Sequence, residues 1–215
     1  MSFSRRTFVK TLGVGGAAAL SGAYIPRAYD LPSFWTPTLL AQEGPLLLHN
    51  NENPLGPGDK VLNAIREHLA PDGAPVGRYP FQLMRNLVQA IAQRFDIQPG
   101  NVIVGTGSTQ VLRTAVMRYT SSSKPLVTAT PTYEECTQYA QLLGHAVVEV
   151  GLNDRLMLDL DEMAEAAKGA GMVFLNNPNN PTATVYPVDE INGCIDKILT
   201  ASPDTRILVD EAYHD

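Results

Sequence analysis

Cysteine, tryptophan, positive charge and long apolar runs are what this 215-residue sequence has least of, and each shortage removes a class of protein. Its two cysteines, Cys136 and Cys194, form neither a C-x-x-C pair nor a metal-ligand cluster, so they are expected as free thiols on separate helices, with no metal site. Lysine and arginine number 16 against 22 aspartates and glutamates, a formal net charge of −6, which argues against a nucleic-acid partner. The apolar stretch near the N-terminus, residues 11–25, is short and rich in glycine and alanine, whereas a spanning helix needs about 20 strongly apolar residues.

With 44% hydrophobic residues and a mean hydropathy of −0.07, the chain suits one full domain or part of a larger one. Residues 1–23 have the layout of an export signal. A basic start holds Arg5, Arg6 and Lys10, a short apolar middle follows, and Ser21, Gly22 and Ala23 supply small residues for cleavage. A flexible basic tail is the plainer alternative. The pair Arg5-Arg6 with Phe8 and Lys10 behind it resembles a twin-arginine signal, which implies the twin-arginine export machinery as a partner and the periplasm as destination. No cysteine lies near the cleavage region, so no lipid anchor is expected. Loss of this segment removes three basic residues and no acidic one, making the remainder more acidic still. Residues 24–45, with Pro26, Pro32 and Pro37 and no clean period, read as a linker or extended arm; Phe34 and Trp35 are its candidate anchors.

From residue 46 the pattern becomes an alternation of helices and strands. Val61, Leu62, Ile65 and Leu69 share one face of a helix capped by Asp59, and Leu83, Leu87, Val88, Ile91 and Phe95 share one face of the next. Strands are predicted at NVIVG (101–105), PLVTAT (125–130), HAVVEV (145–150), GMVFLN (171–176) and RILVD (206–210). Amphipathic segments separate them: STQVLRTAVMRY, YEECTQYAQLLG closed by Gly144, LDEMAEAAKG and VDEINGCIDKILT. Strands with little internal alternation, set between such helices, predict an α/β fold in which a mostly parallel sheet is covered on both faces.

In such a sheet, ligands sit outside the carboxyl ends of the strands. The segments found there are GTGSTQVL (105–112), PTY (131–133), NPNNPT (177–182) and DEAY (210–213). Each has a plain reading beside a functional one. The first puts small residues at a strand-to-helix turn, either as an ordinary tight turn or as a phosphate seat built from bare N–H groups and the helix dipole. It lacks the spacing of a Walker loop or of G-x-G-x-x-G. Tyr133 is a core ring or a stacking platform. NPNNPT is a turn or a ligand loop. Asp210 is a helix cap or a functional carboxylate at the end of a buried strand.

Together these signatures resemble the class I/II aminotransferases, pyridoxal-phosphate enzymes of fold type I, and most nearly their histidinol-phosphate aminotransferase branch. The likeness runs through NENPLGP (51–57), Arg78-Tyr79-Pro80, PTY, PNNPT (178–182) and DEAY, in that order, and covers residues 46–215. A glycine usually follows NNPT in that family, and Ala183 stands there instead. The resemblance implies the three-layer αβα large domain of the aspartate aminotransferase type. It also implies pyridoxal 5'-phosphate as cofactor, an amino acid and a keto acid as substrates, and a homodimer.

Residue by residue, the resemblance gives Asp210 the task of keeping the cofactor's ring nitrogen protonated, so that the ring can take up electrons. Asn180 and Tyr213 would donate hydrogen bonds to its phenolic oxygen, and Tyr133 would stack on its face. Gly107, Ser108 and Thr109 would hold the phosphate, joined by Tyr79 across the dimer interface. Asn51 and Glu52 fall where the family's N-terminal segment borders the substrate pocket.

The lysine that carries the family's chemistry lies beyond DEAY, after a further strand. The lysines here are Lys10, Lys60, Lys124, Lys168 and Lys197, and only Lys124, in SSSK, has a similar context, on the wrong side of PTY. No catalytic lysine is therefore expected within these 215 residues, which read as the front part of the domain, inactive by themselves. Two other readings stay open: a decarboxylase or lyase of the same fold, and a non-catalytic module that binds a phosphorylated ligand.

Overall fold

The structure, a computed structural model, describes residues 50–53, 55–69 and 77–213. The expected export signal and the arm with Phe34 and Trp35 lie outside the described residues. The chain divides into two compact units, Met1–Phe81 and Gln82–Asp215.

In the first unit, helix α1 spans Asp59–Leu69. Asp59 is its first helical residue rather than a flanking cap, and the Gly58 carbonyl accepts the N–H groups of Val61 and Leu62 at 2.9 and 3.2 Å. Asp59 in the first turn and Arg66 and His68 in the last complement the helix dipole. The expected apolar face forms, yet Val61, Ile65 and Leu69 remain exposed. Helix α2, Phe81–Arg94, starts at the boundary between the units and buries only Ala92 among its residues.

The second unit carries the sheet. Its elements are α3 (Ser108–Tyr119), β1 (Leu126–Thr130), α4 (Glu135–Leu142), β2 (Val147–Gly151), α5 (Leu160–Ala166), β3 (Met172–Asn176), α6 (Val188–Ala201) and β4 (Arg206–Asp210). The strands lie in the order β2-β1-β3-β4, every neighbouring pair parallel. Alternation along each strand sorts its side chains between two cores. Val127, Ala129, Val173 and Leu175 point to one face, where they pack with Met163 of α5 and with Ile191 and Ile198 of α6. Leu126, Met172 and Phe174 point to the other, against Leu112 and Val116 of α3 and Cys136 and Ala140 of α4. The result is the helix–sheet–helix layering that the pattern predicts.

β3 is buried at all five residues, as befits a strand with neighbours on both sides and helices on both faces. Just before it, Gly171 lets the backbone turn in beneath the end of α3. A Cβ there would sit 2.0 Å from the Tyr119 carbonyl oxygen, a separation that no side chain tolerates.

One element differs from expectation. NVIVG does not form a strand among the described residues: Asn101 closes a 3-10 turn, Pro99–Asn101, and the chain then runs without a ladder partner. Val102 has strand-like angles, φ −108° and ψ 124°, but extended backbone becomes a strand only by pairing, and no described residue pairs with it. The side-chain pattern cannot report whether a partner is present.

Candidate active site at the strand ends

Parallel strands point all their carboxyl ends the same way, so PTY, NPNNPT and DEAY emerge on one edge of the sheet. Asn176 and Asp210 end β3 and β4 as direct register partners, and the Asn177 N–H donates to the Asp210 carbonyl at 3.0 Å. Both share the parity of Phe174 and Leu208, whose side chains lie on the α3/α4 face, so the Asp210 carboxylate is on that face too. It is half-buried, and its Oδ1 accepts the Ala212 N–H at 3.1 Å, which shapes the turn that follows. No helix follows β4 among the described residues, so Asp210 caps none there; one of its carboxylate oxygens braces a turn instead.

The loop after β3 is held at its ends and at its centre. Asn177 grips Tyr186 twice, its Nδ2 donating to the Tyr186 carbonyl (3.0 Å) and its Oδ1 accepting the Tyr186 N–H (2.8 Å). The Tyr186 hydroxyl in turn donates to the Leu158 carbonyl at 2.9 Å. With its amide oriented to satisfy both groups, Asn176 donates to the Pro178 carbonyl (3.1 Å) and accepts the Asn180 N–H (3.0 Å). Asn179 lies at the centre, 2% exposed. The Thr132 hydroxyl donates to its Oδ1 (2.7 Å), and its Nδ2 donates to the Thr182 hydroxyl (2.8 Å) and the Pro131 carbonyl (3.3 Å). PTY and NPNNPT are thus tied to each other.

Ala183 takes φ +54°, the left-handed region that favours glycine, while its N–H donates to the Asn179 carbonyl at 2.8 Å. The turn keeps a glycine's backbone without the glycine, at a cost of roughly 1–2 kcal/mol.

Tyr133 is half-buried against the α3/α4 core. Nearby, Arg113 of α3 bonds Glu135 of α4 through Nε–Oε1 at 2.5 Å and lies over the Tyr139 ring, 5.0 Å from its centroid. That hydrogen bond, and then the Glu135 charge, raise the Arg113 pKa, with smaller contributions from Tyr139 and Tyr133. The pair fastens α3 to α4 beside Tyr133. At the head of α3, Gly107 is the cap residue at φ +76°, and a Cβ there would meet nothing within 4 Å. Gln110 reaches back to accept the Thr106 N–H at 2.6 Å. The first N–H groups of a helix have no intrahelical acceptor, and Gly107 and Ser108 lie exposed at this helix start.

The ends of β1, β3 and β4 thus bring Tyr133, Asn180 and Asp210 to one edge of the sheet, with Tyr213 on the turn after β4 and 44% exposed, whereas Gly107, Ser108 and Thr109 open α3 and follow no strand. Tyr79 belongs to the first unit, where it is exposed and stacks on Phe81 with centroids 5.5 Å apart. Asn51 and Glu52 are exposed residues of that unit as well. Sequence reasoning did not single out Thr132, Asn176, Asn177 or Asn179; three of these are asparagines inside or beside a recognised motif, where a repeated letter hides which copy turns inward.

Cys136 and Cys194 are free and buried, on α4 and α6. Burial pushes the Cys136 thiol up to about 12, with the Asp210 and Glu135 charges adding to the effect. Its ordinary value is 9.0, so the unfolded thiol ionises first. Its contribution to stability is complete below about pH 9 and disappears as the pH climbs towards about 12. Iodoacetamide at about pH 8 should therefore alkylate Cys136 only in denaturant, because the thiolate is the nucleophile. Rapid labelling of the native chain would show that α4 does not cover it.

A parallel four-stranded sheet layered by helices on both faces is the architecture of the pyridoxal-phosphate fold type I large domain. The comparisons with known proteins agree. The family model for aminotransferase class I and II matches residues 43–215, and the chain belongs to that family. It is 34% identical over 171 residues to histidinol-phosphate aminotransferase 1 of Burkholderia pseudomallei, covering 80% of this chain and 46% of that protein. It is 35% identical over 169 residues to the histidinol-phosphate aminotransferase of Symbiobacterium thermophilum, covering 78% and 45%. The crystal structure of the Sinorhizobium meliloti histidinol-phosphate aminotransferase in complex with pyridoxal-5'-phosphate superposes with a TM-score of 0.69 at 28% identity, over 77% of this chain and 43% of that one. The chain spans about half the length of the curated relatives it matches.

Proposed function

We propose that this chain supplies the cofactor-holding part of a pyridoxal-phosphate-dependent aminotransferase whose substrate resembles histidinol phosphate. The observation that carries the reading is the convergence at one sheet edge, where the Thr132–Asn179 hydrogen bond of 2.7 Å joins the loops bearing Tyr133 and Asn180 beside Asp210. The residues present suit the cofactor. Open backbone at Gly107, Ser108 and Thr109 would receive its phosphate, Tyr133 would lie against its ring, and Asn180 and Tyr213 would donate to its phenolic oxygen. Asp210 would hold a proton on the ring nitrogen. When bound, the cofactor supplies the electron sink for proton removal next to the substrate amine. Tyr79 is assigned to the phosphate across a homodimer interface, and Asn51 and Glu52 to the substrate pocket, from the family likeness alone.

The test uses the 215-residue chain. It should bind pyridoxal 5'-phosphate weakly and reversibly, with inorganic phosphate as competitor, and should not transaminate. Borohydride reduction should attach the cofactor stoichiometrically to no single lysine. A unique label on Lys124 would instead make SSSK the attachment site, and no binding at all would remove the assignment.

Export is proposed separately, on the sequence of residues 1–23. The twin-arginine route carries folded proteins, which suits an enzyme that takes up its cofactor in the cytoplasm. Replacing Arg5 and Arg6 by lysine should retain the full-length protein in the cytoplasm, folded and loaded, as read by cell fractionation and bound cofactor. A double variant still found in the periplasm would sink the export assignment.

A further inference from the structure

We infer that Asn179 is a positioning residue, whose buried amide sets the Tyr133 ring and the Asn180 side chain in register with each other for one flat aromatic ligand. The inference rests on the function proposed above and goes beyond it, because the family likeness assigns a role to Asn180 and none to its neighbour.

Hydrogen-bonding capacity separates the two neighbouring asparagines. An asparagine amide has two donors and an acceptor oxygen. Asn179 spends both donors, on the Thr182 hydroxyl and the Pro131 carbonyl, and its oxygen takes the Thr132 hydroxyl. Its backbone is committed as well, the N–H to the Thr184 carbonyl and the carbonyl to the Ala183 N–H, both at 2.8 Å. At 2% exposure it offers nothing to a ligand. The adjacent Asn180 is only half-buried, and among the described residues its side chain makes no hydrogen bond. One asparagine is the anchor and the next is left free to act.

The geometry then makes Asn179 more than a loop brace. Thr132 immediately precedes Tyr133, and Asn179 immediately precedes Asn180, so a 2.7 Å bond between the two anchors couples two side chains that project from different strand ends. The Asn180 N–H is fixed from the other side by Asn176, whose register partner is Asp210. Platform, donor and carboxylate therefore share one connected frame. The head of α3, where the phosphate is proposed to sit, is braced from within its own helix, Gln110 accepting the Thr106 N–H at 2.6 Å, so the loss of Asn179 should reach it least. This separation can be tested.

Three variants of the 215-residue chain, Asn179→Ala, Thr132→Val and Thr132→Ser, are to be compared for binding of pyridoxal 5'-phosphate and of inorganic phosphate, for the circular dichroism of the bound chromophore at saturation, and for thermal midpoint. Asn179→Ala and Thr132→Val should weaken pyridoxal phosphate by ~10-fold, the scale of one lost buried hydrogen bond, and should leave inorganic phosphate within about twofold. Both should also reduce the chromophore's circular dichroism at saturation, since its ring is no longer held at one angle. Thr132→Ser keeps the hydroxyl and should behave as the parent in every measurement.

Equal weakening of both ligands, tracking the fall in thermal midpoint, would reduce Asn179 to a structural brace and overturn the inference. Unchanged ring binding and dichroism in Asn179→Ala would overturn it too. If Asn179→Ala does not fold, the contrast between Thr132→Val and Thr132→Ser decides. A parent chain that binds inorganic phosphate and not pyridoxal phosphate overturns the proposed function along with the inference, an outcome distinct from variants that merely match a binding parent.

Discussion

In the aminotransferase proposed above, Asp210→Asn should lower turnover by at least ~10²-fold, the scale seen when one preorganised electrostatic group is removed from an active site. The substitution separates the two tasks of this residue. An asparagine oxygen can still accept the Ala212 N–H that Asp210 Oδ1 accepts at 3.1 Å, so the turn after β4 keeps its brace. What disappears is the carboxylate at the end of β4, and with it the group proposed to keep a proton on the cofactor's ring nitrogen. Unfolding stability should accordingly move by no more than about 0.5 kcal/mol while the rate collapses. Steady-state kinetics and denaturant unfolding on the same preparation provide the comparison. A variant as active as its parent would show that the carboxylate serves the turn alone.

Phe174→Ala should be the most damaging of the core substitutions, costing about 3–5 kcal/mol of folding stability. Phe174 is 1% exposed and sits mid-strand in β3, opposite Thr128 of β1 and Leu208 of β4. Its ring fills the space between the sheet and the α3/α4 layer, among Leu112, Val116, Cys136 and Ala140. Parallel neighbours on both sides and a helix layer above leave little freedom to collapse into the void, so the cavity contribution adds to the lost transfer free energy. Urea unfolding should show a lower midpoint at an unchanged slope. A loss under about 1 kcal/mol would mean that the α3/α4 layer is loosely packed and repacks around the gap.

The alternation of amphipathic helices with apolar runs determined the layered parallel sheet, because a strand buried on both faces has no polar side to show and its crossover helix has exactly one apolar stripe to bury. Four of the five predicted strands formed within a residue or two of their expected bounds. The motifs after β1, β3 and β4 put Tyr133, Asn180 and Asp210 at one edge, since parallel strands send their carboxyl ends the same way whatever their order in the sheet.

Tertiary structure decided the rest, wherever the outcome depended on which groups meet. NVIVG has the residues of a strand and no partner among the described residues, because pairing is a property of two segments and is written in neither alone. The place of Ala183 in the motif marked a departure from glycine, but only the backbone angle of +54° shows that the glycine conformation is retained. In NPNNPT the sequence presents three asparagines of equal chemical promise, Asn177, Asn179 and Asn180. Folding divides them: Asn177 closes the loop on Tyr186, Asn179 is buried against Thr132, and Asn180 is left half-exposed at the strand ends. That division follows from the long-range approach of PTY, 47 residues away in the chain, whose threonine hydroxyl finds its acceptor only once β1 and β3 lie side by side.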